Sequence, residues 1–198
     1  MRKADLDPNP FRQFEKWLDE ARAGGESLPE AMALATASLS GHPSVRMVLL
    51  KGIHKEGFEF YTNLISRKSQ ELEENPRAAL VFWWSQLQRQ VRAEGIIERI
   101  DSKDADEYFR NRSRESQIGA WASRQSQQIP DREELERCVQ EYEKKLAGRE
   151  APRPPFWGGF RLIPENIEFW QEQTARLHDR LLYRRSADQD WILERLAP

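Results

Sequence analysis

Two cations bracket an apolar run in Arg46-Met47-Val48-Leu49-Leu50-Lys51. Read as a strand, whose side chains alternate between faces, this segment sends Arg46 and Lys51 to opposite sides. That suits either two different anions, one per face, or two strand-end side chains reaching solvent. Downstream, Tyr61-Thr62-Asn63 closes a strand pattern and Ser66-Arg67-Lys68 opens a helical one. Free backbone N–H groups and the dipole at such a helix start favour a phosphate, and two cations there reinforce the site. Tyr108, Arg112 and Ser116 recur at spacing four. A helix continuing through all three presents a phenol, a guanidinium and a hydroxyl on one face, which is either a phosphate clasp or an ordinary solvated face. Arg176-Leu177-His178-Asp179-Arg180, taken as a strand, sets Arg176, His178 and Arg180 on one face with no apolar residue between them. Such a face suits a site better than a core.

Other chemistries lose ground. The chain has no Gly-rich loop ending in Lys-Ser/Thr, no dinucleotide fingerprint, no His-Glu-x-x-His and no Gly-x-Ser-x-Gly elbow. One cysteine, Cys138, excludes an internal disulfide and any multi-cysteine metal cluster, and no metal is expected. With 31 basic and 33 acidic side chains, the net charge of -2 provides no global field to draw the protein onto nucleic acid. An anion must therefore be met by a local cluster. The longest apolar runs, at 78–84 and 48–50, fall far short of the roughly 20 residues a membrane helix requires, so no membrane association is expected. No apolar stretch follows Arg2 and Lys3, and the expected compartment is the cytoplasm.

The elements that must position these residues follow from periodicity. Asn9-Pro10, followed by Phe11, Phe14, Trp17, Leu18 and Ala21, predicts a capped helix with one apolar face ending at Gly24-Gly25. Residues 31–39, 45–51 and 58–62 read as short strands forming an antiparallel meander. A short helix at 66–74 precedes a strand pair at 78–84 and 88–99. Helical patterns occupy 102–112, 115–123 and 131–146, the last rich in opposite charges at i, i+4 spacing. After the stiff Ala151-Pro152-Arg153-Pro154-Pro155 segment, strand character returns at 156–162, 167–171, 176–183 and 191–196. Many short strands with helices inserted between them predict one mainly β domain over 1–198, a closed or nearly closed antiparallel, Greek-key-like barrel with peripheral α-helices.

Taken together, several blocks resemble the pyridoxine/pyridoxamine 5′-phosphate oxidase family. They are Arg46 to Lys51, Tyr61-Thr62-Asn63, Ser66-Arg67-Lys68, Arg89-Gln90-Val91 and Ser116 to Trp121. Trp157-Gly158-Gly159-Phe160, Glu168-Phe169-Trp170-Gln171, Arg176 to Arg180 and Arg195-Leu196-Ala197-Pro198 complete the set, in family order over nearly the whole chain. The resemblance implies an FMN-binding split barrel working as a homodimer with flavin held between subunits, and a C-terminal dimerisation and substrate segment at about 156–198.

It also implies residue roles. FMN would be held by Arg46 to Lys51, that is Arg46, Met47, Val48, Leu49, Leu50 and Lys51. Tyr61 and Thr62 would join them, with Arg67 and Lys68 at the phosphate and Gln90 near the rings. Gln125, Ser126, Trp170 and Arg180 would come from the partner subunit. Lys51, Tyr108, Arg112 and Ser116 would grip the substrate phosphate. Arg176, Leu177 and His178 would lie against the pyridine ring, Arg176 and His178 being the catalytic pair. The implied reaction takes two electrons from C4′ of pyridoxamine or pyridoxine 5′-phosphate, passing hydride to flavin N5. Dioxygen then reoxidises the flavin to give hydrogen peroxide, the product is pyridoxal 5′-phosphate, and the amine substrate also releases ammonia.

Three rivals follow from the same residues. A related flavin oxidase of phenazine biosynthesis would need no phosphate clasp. A non-catalytic FMN-binding protein would need none of Tyr108, Arg112, Ser116, Arg176 and His178. A nucleic-acid-binding barrel would use strand-borne aromatic and basic residues, against the acidic net charge.

Overall fold

Asn9 caps the first helix, α1 (Pro10–Ala23), its side-chain oxygen accepting from the backbone N–H of Phe11 at 2.8 Å and Arg12 at 3.3 Å. The buried face is Phe11, Phe14, Trp17, Leu18 and Ala21, as the spacing predicts. These side chains fill the concave side of a curled sheet: Phe14 meets Phe58 at 5.0 Å and Phe82 at 4.8 Å, and Trp17 meets Phe169 at 5.1 Å, all edge-on. Removing such a ring from a packed core costs about 3–5 kcal/mol. The helix therefore anchors the sheet that carries the site.

The computed structural model describes all 198 residues. Nine strands form one antiparallel sheet: β1 (Ala31–Ala37), β2 (Pro43–Leu49), β3 (Gly52–His54), β4 (Gly57–Asn63), β5 (Arg77–Trp84), β6 (Arg89–Arg99), β7 (Trp157–Gln171), β8 (Asp179–Arg185) and β9 (Trp191–Leu196). Their order is β2-β1-β5-β6-β7-β4-β3, with β8 on β7 and β9 on β8. The fold is mainly β with peripheral helices, and the barrel is split rather than closed. The expected meander is corrected: β1–β2 and β3–β4 are hairpins, but β4 pairs with β7, not β2. The strands expected at 156–162 and 167–171 are parts of the single β7, which begins at Trp157. Pro164 does not end it because a register shift at Glu94/Gly95 sets Gly95 opposite Pro164. A Cβ on Gly95 would lie 2.0 Å from the Ile163 carbonyl oxygen, so only glycine permits this approach.

The two halves of β7 serve different neighbours along one edge, Trp157 to Leu162 pairing with β4 and Asn166 to Gln171 with β8. Alternation on β1 and β5 buries Met32, Leu34, Thr36, Leu80, Phe82 and Trp84 inward. The outer face keeps Val45, Met47 and Trp83 exposed beside half-buried alanines. The helices α2 (Arg67–Glu74), α3 (Ser102–Arg110), α4 (Arg114–Ala122) and α5 (Arg132–Lys145) lie between β4 and β7 in sequence. No helix is long and apolar enough to cross a membrane.

Candidate active site

A cavity of about 940 Å³ lies between the end of β2, the end of β4, the start of α2, the α3–α4 connection and the start of β7. That volume sits at the upper end of the range for small-molecule sites, ~300–1,000 Å³. One region is cationic. The Lys68 ammonium, nearly buried, donates to Gln125 Oε1 at 2.7 Å, Thr62 Oγ1 at 3.1 Å and Ser66 Oγ at 3.2 Å. Burial and the neighbouring Arg46 charge pull its pKa down to about 8. Arg67 receives the Ser126 hydroxyl oxygen on its backbone N–H at 3.2 Å.

Glu71 organises this region and was not foreseen. Its Oε1 accepts from Arg67 Nε at 2.8 Å, and its Oε2 accepts from Arg46 Nη2 at 3.2 Å and from the hydroxyls of Thr36 and Ser44. Burial alone would raise the carboxyl's pKa, but the bonds from Ser44, Thr36, Arg67 and Arg46 outweigh it and hold the value at about 2. Arg46 and Arg67 thus share one carboxylate and Lys68 stands beside them without one, leaving an excess of two positive charges at a helix start when Lys68 is protonated. That excess, in a cavity of this size, fits a phosphate-bearing cofactor.

Another part of the lining holds Tyr108, Arg112 and Ser116. They do not share a continuous helix: α3 ends at Arg110, and Ser113 caps α4, accepting from the Ser116 N–H at 3.3 Å. Gln117 staples the break by donating to the carbonyls of Phe109 and Arg110, both at 3.1 Å, which satisfies groups the helix end would leave orphaned. The bend, not a helical face, brings the trio to one cavity. Arg112 has a buried Nη1 with no hydrogen-bond partner, and burial pulls its pKa below the usual arginine range. A guanidinium stays protonated at neutral pH, so a charged, unsatisfied donor faces the need for an anion.

Lys51 lies beyond the end of β2 and lines the same cavity as Arg46, so the two cations do not serve separate faces. The chain changes partner after Leu50, whose N–H bonds the Glu30 carbonyl at 2.9 Å, because the Lys51 N–H bonds the Glu59 carbonyl at 2.8 Å, so the alternation that the prediction assumed does not carry through to Lys51. Leu50 itself is packed in the core and does not line the cavity, whereas Met47, Val48 and Leu49 do. Tyr61 and Thr62 are also in the lining, and burial, then the charges of Glu59 and Asp104, push the Tyr61 phenol up to about 12. Gln125 and Ser126, expected from a partner, bond within this chain to Lys68 and Arg67.

The remaining predicted residues form a second group outside the cavity. Gln90, Trp170 and Arg180 lie in register across β6, β7 and β8, and the rings of Trp170 and His178 are 4.6 Å apart. Buried Glu168, also missed in the sequence, accepts from Arg180 Nε at 2.7 Å and Nη2 at 3.0 Å and from Arg92 Nη2 at 2.7 Å. Arg176, His178 and Arg180 do not share a strand face. The last β7–β8 pair is Gln171 with Asp179, so residues 172–178 form the connection. Within it Ala175 and Arg176 take φ of 55° and 60°, left-handed values that cost non-glycine residues energy. His178 Nδ1 accepts from the Gln173 N–H at 3.2 Å, while Leu177 is exposed.

Residues 18–145 match the family described as pyridoxamine 5′-phosphate oxidase. The chain belongs to that family. Residues 157–198 match the pyridoxine 5′-phosphate oxidase C-terminal dimerisation region. Pyridoxine/pyridoxamine 5′-phosphate oxidases of Nostoc punctiforme and Rubrobacter xylanophilus are 54% and 55% identical, aligned over 98% and 97% of this chain and 91% and 88% of theirs. Among solved structures, PhzG of Burkholderia lata in complex with tetrahydrophenazine-1-carboxylic acid superposes with a TM-score of 0.93 at 33% identity, covering 98% of this chain and 95% of that one. Pyridoxamine 5′-phosphate oxidase relatives thus match this chain more closely in sequence than the phenazine protein does.

Proposed function

We propose that the protein is an FMN-dependent oxidase converting pyridoxamine and pyridoxine 5′-phosphates to pyridoxal 5′-phosphate with dioxygen. The observation that carries this reading is the pairing of two anion sites in one cavity: the Arg46–Arg67–Lys68 group, and Arg112 with its unpartnered nitrogen. The first would hold the cofactor phosphate and the second, with Lys51, Tyr108 and Ser116, the substrate phosphate. Bound flavin would supply the two-electron acceptor that dioxygen reoxidises. The chain's own residues bind and align, which accounts for the lack of a nucleophile.

Arg176 and His178 lie in the second group, and a homodimer would bring that group to the partner's cavity. The exposed Val45, Met47 and Trp83 on the outer sheet face, with Trp83 in register with Gln90, Trp170 and Arg180, supply an apolar surface for such a contact. In this reading FMN lies at the subunit interface, with Arg176 positioning the substrate ring and His178 holding it. The phenazine reading would set a carboxylate in place of a phosphate against Arg112, Tyr108 and Ser116, and it is disfavoured because a carboxylate offers that clasp fewer acceptor oxygens.

Anaerobic absorbance titration of FMN-loaded protein with pyridoxine 5′-phosphate tests the proposal. Bleaching of the flavin band, reversed by air with formation of pyridoxal 5′-phosphate, is the expected result. A yellow protein that neither pyridoxine nor pyridoxamine 5′-phosphate bleaches would sink it.

A further inference from the structure

Arg112 is a half-buried cation of the cavity wall with no carboxylate for a partner and one buried nitrogen without any hydrogen-bond partner; Lys68, also without a carboxylate, is satisfied by Gln125, Thr62 and Ser66. Arg46 and Arg67 share Glu71, whereas Arg112 forms no ion pair. What holds it is aromatic: its guanidinium carbon lies 4.8 Å from the ring centre of Trp157 and 5.6 Å from that of Phe109. The difference has a chemical consequence. A carboxylate would position the guanidinium but occupy its donors and cancel its charge. An aromatic face attracts the cation through its quadrupole and leaves the in-plane N–H groups free.

Trp157 also reaches the other large member of the clasp. Its ring is parallel to those of Tyr108 (6.1 Å, 5°) and Tyr61 (5.5 Å, 10°), and the two tyrosines stack on each other at 4.0 Å. The indole is 5% exposed and its backbone is fixed: Trp157 pairs with Asn63 on β4, and its N–H bonds the Pro154 carbonyl at 3.0 Å. Arg153 donates to the Trp157 carbonyl at 2.5 Å, and also to Asp106 and Ser102, both at 2.6 Å, tying the start of β7 to the helix that carries Tyr108. One side chain thus sets Arg112 and Tyr108 together.

We propose that Trp157 is a positioning residue that holds the phosphate clasp open and charged, and so sets the preference for a phosphorylated over a non-phosphorylated substrate. The inference rests on the substrate reading of the cavity given above, so its test uses inorganic phosphate as well as the organic substrate. FMN-loaded Trp157→Leu and Trp157→Phe are compared with the parent protein in calorimetric titration with inorganic phosphate, and in KM and kcat for pyridoxine 5′-phosphate against pyridoxine. Trp157→Leu is expected to weaken phosphate binding and raise KM for the phosphorylated substrate about tenfold, equivalent to about 1.4 kcal/mol. The phosphorylated-to-free preference should fall by a similar factor, kcat should change less, and FMN affinity should stay within about twofold. Trp157→Phe, which retains a π face, should recover part of the loss.

Equal losses for pyridoxine and its phosphate, a parallel loss of FMN affinity, or a Phe variant no better than Leu would each reduce Trp157 to a packing residue and overturn the inference. If Trp157→Leu does not fold, the Phe variant decides the matter: its phosphate affinity should fall two- to fivefold, and parental affinity would refute the proposal. Should the parent protein oxidise no phosphorylated pyridine, the functional reading fails, while a Trp157-dependent phosphate affinity would still stand.

Discussion

Lys68 Nζ and Gln125 Oε1 are 2.7 Å apart, joining the first turn of α2 to the loop after α4. The amide oxygen stabilises a charge that burial and Arg46 make costly, and the Lys68 pKa falls to about 8. A bound phosphate would favour the charged form, so the pKa should rise on binding, with proton uptake wherever the free amine is neutral. FMN affinity is therefore expected to be flat below about pH 7.5 and to weaken above pH 8, by up to tenfold per pH unit. Fluorescence quenching of FMN from pH 7 to 9.5 checks this, and Lys68→Gln should remove the slope.

Glu71 provides a test in acid. Its carboxyl titrates at about 2 in the folded protein against an ordinary 4.5, so its contribution to stability is fully present above about pH 4.5 and is lost as pH falls toward 2. Glu71→Gln should destabilise the cofactor-free protein by about 1.5–3 kcal/mol at pH 7, the scale for hydrogen bonds to a charged group. Urea unfolding at pH 7 and pH 3 measures the difference, which should shrink at the lower pH.

Arg112→Ala removes the charge that the proposed substrate phosphate would meet. Binding of pyridoxine 5′-phosphate should weaken by roughly 1.5–3 kcal/mol with FMN affinity retained. An unchanged substrate Kd would take Arg112 out of the site.

Arg176→Ala should slow anaerobic flavin reduction about 100-fold at saturating substrate, the scale for losing alignment of reacting groups. Stopped-flow absorbance gives the rate directly. Reduction as fast as in the parent protein would end the positioning role assigned to it.

Met47→Asp places a charge on the exposed apolar face of β2. In the proposed dimer this should shift the protein toward monomer in sedimentation at micromolar concentration and reduce FMN retention with it. A variant that stays dimeric would show that the contact lies on another face.

Local patterns proved the most legible part of the sequence. The α1 face from Phe11 to Ala21 and its Asn9 cap follow from spacing and capping chemistry, and so do the inward rows of β1 and β5. What spacing could not reveal was long-range. Tyr108, Arg112 and Ser116 do meet, but through a bend after Arg110 that Ser113 and Gln117 stabilise rather than through a shared helix face. Arg176 to Arg180 looked like a strand because the connection from β7 carries charged residues without a strong turn signal. Two of those positions adopt left-handed backbone without glycine. Glu71 and Glu168 were passed over because a lone acid in a charged helix or strand resembles a solvated one. Only the fold reveals that each is buried against two arginines.

The continuity of β7 carries a genetic consequence. Fifteen residues at about 3.3 Å each make a strand of about 50 Å, with the cavity wall at one end and the Trp170–Arg180 group at the other. If each centre draws its two groups from different chains, as proposed, lesions at the two ends of β7 belong to different complementation classes. A mixed dimer of an Arg112-defective chain and an Arg176-defective chain would gather both defects into one centre and leave its other centre intact. Two inactive alleles of this sort could then sustain each other, whereas two alleles damaged at the same end could not.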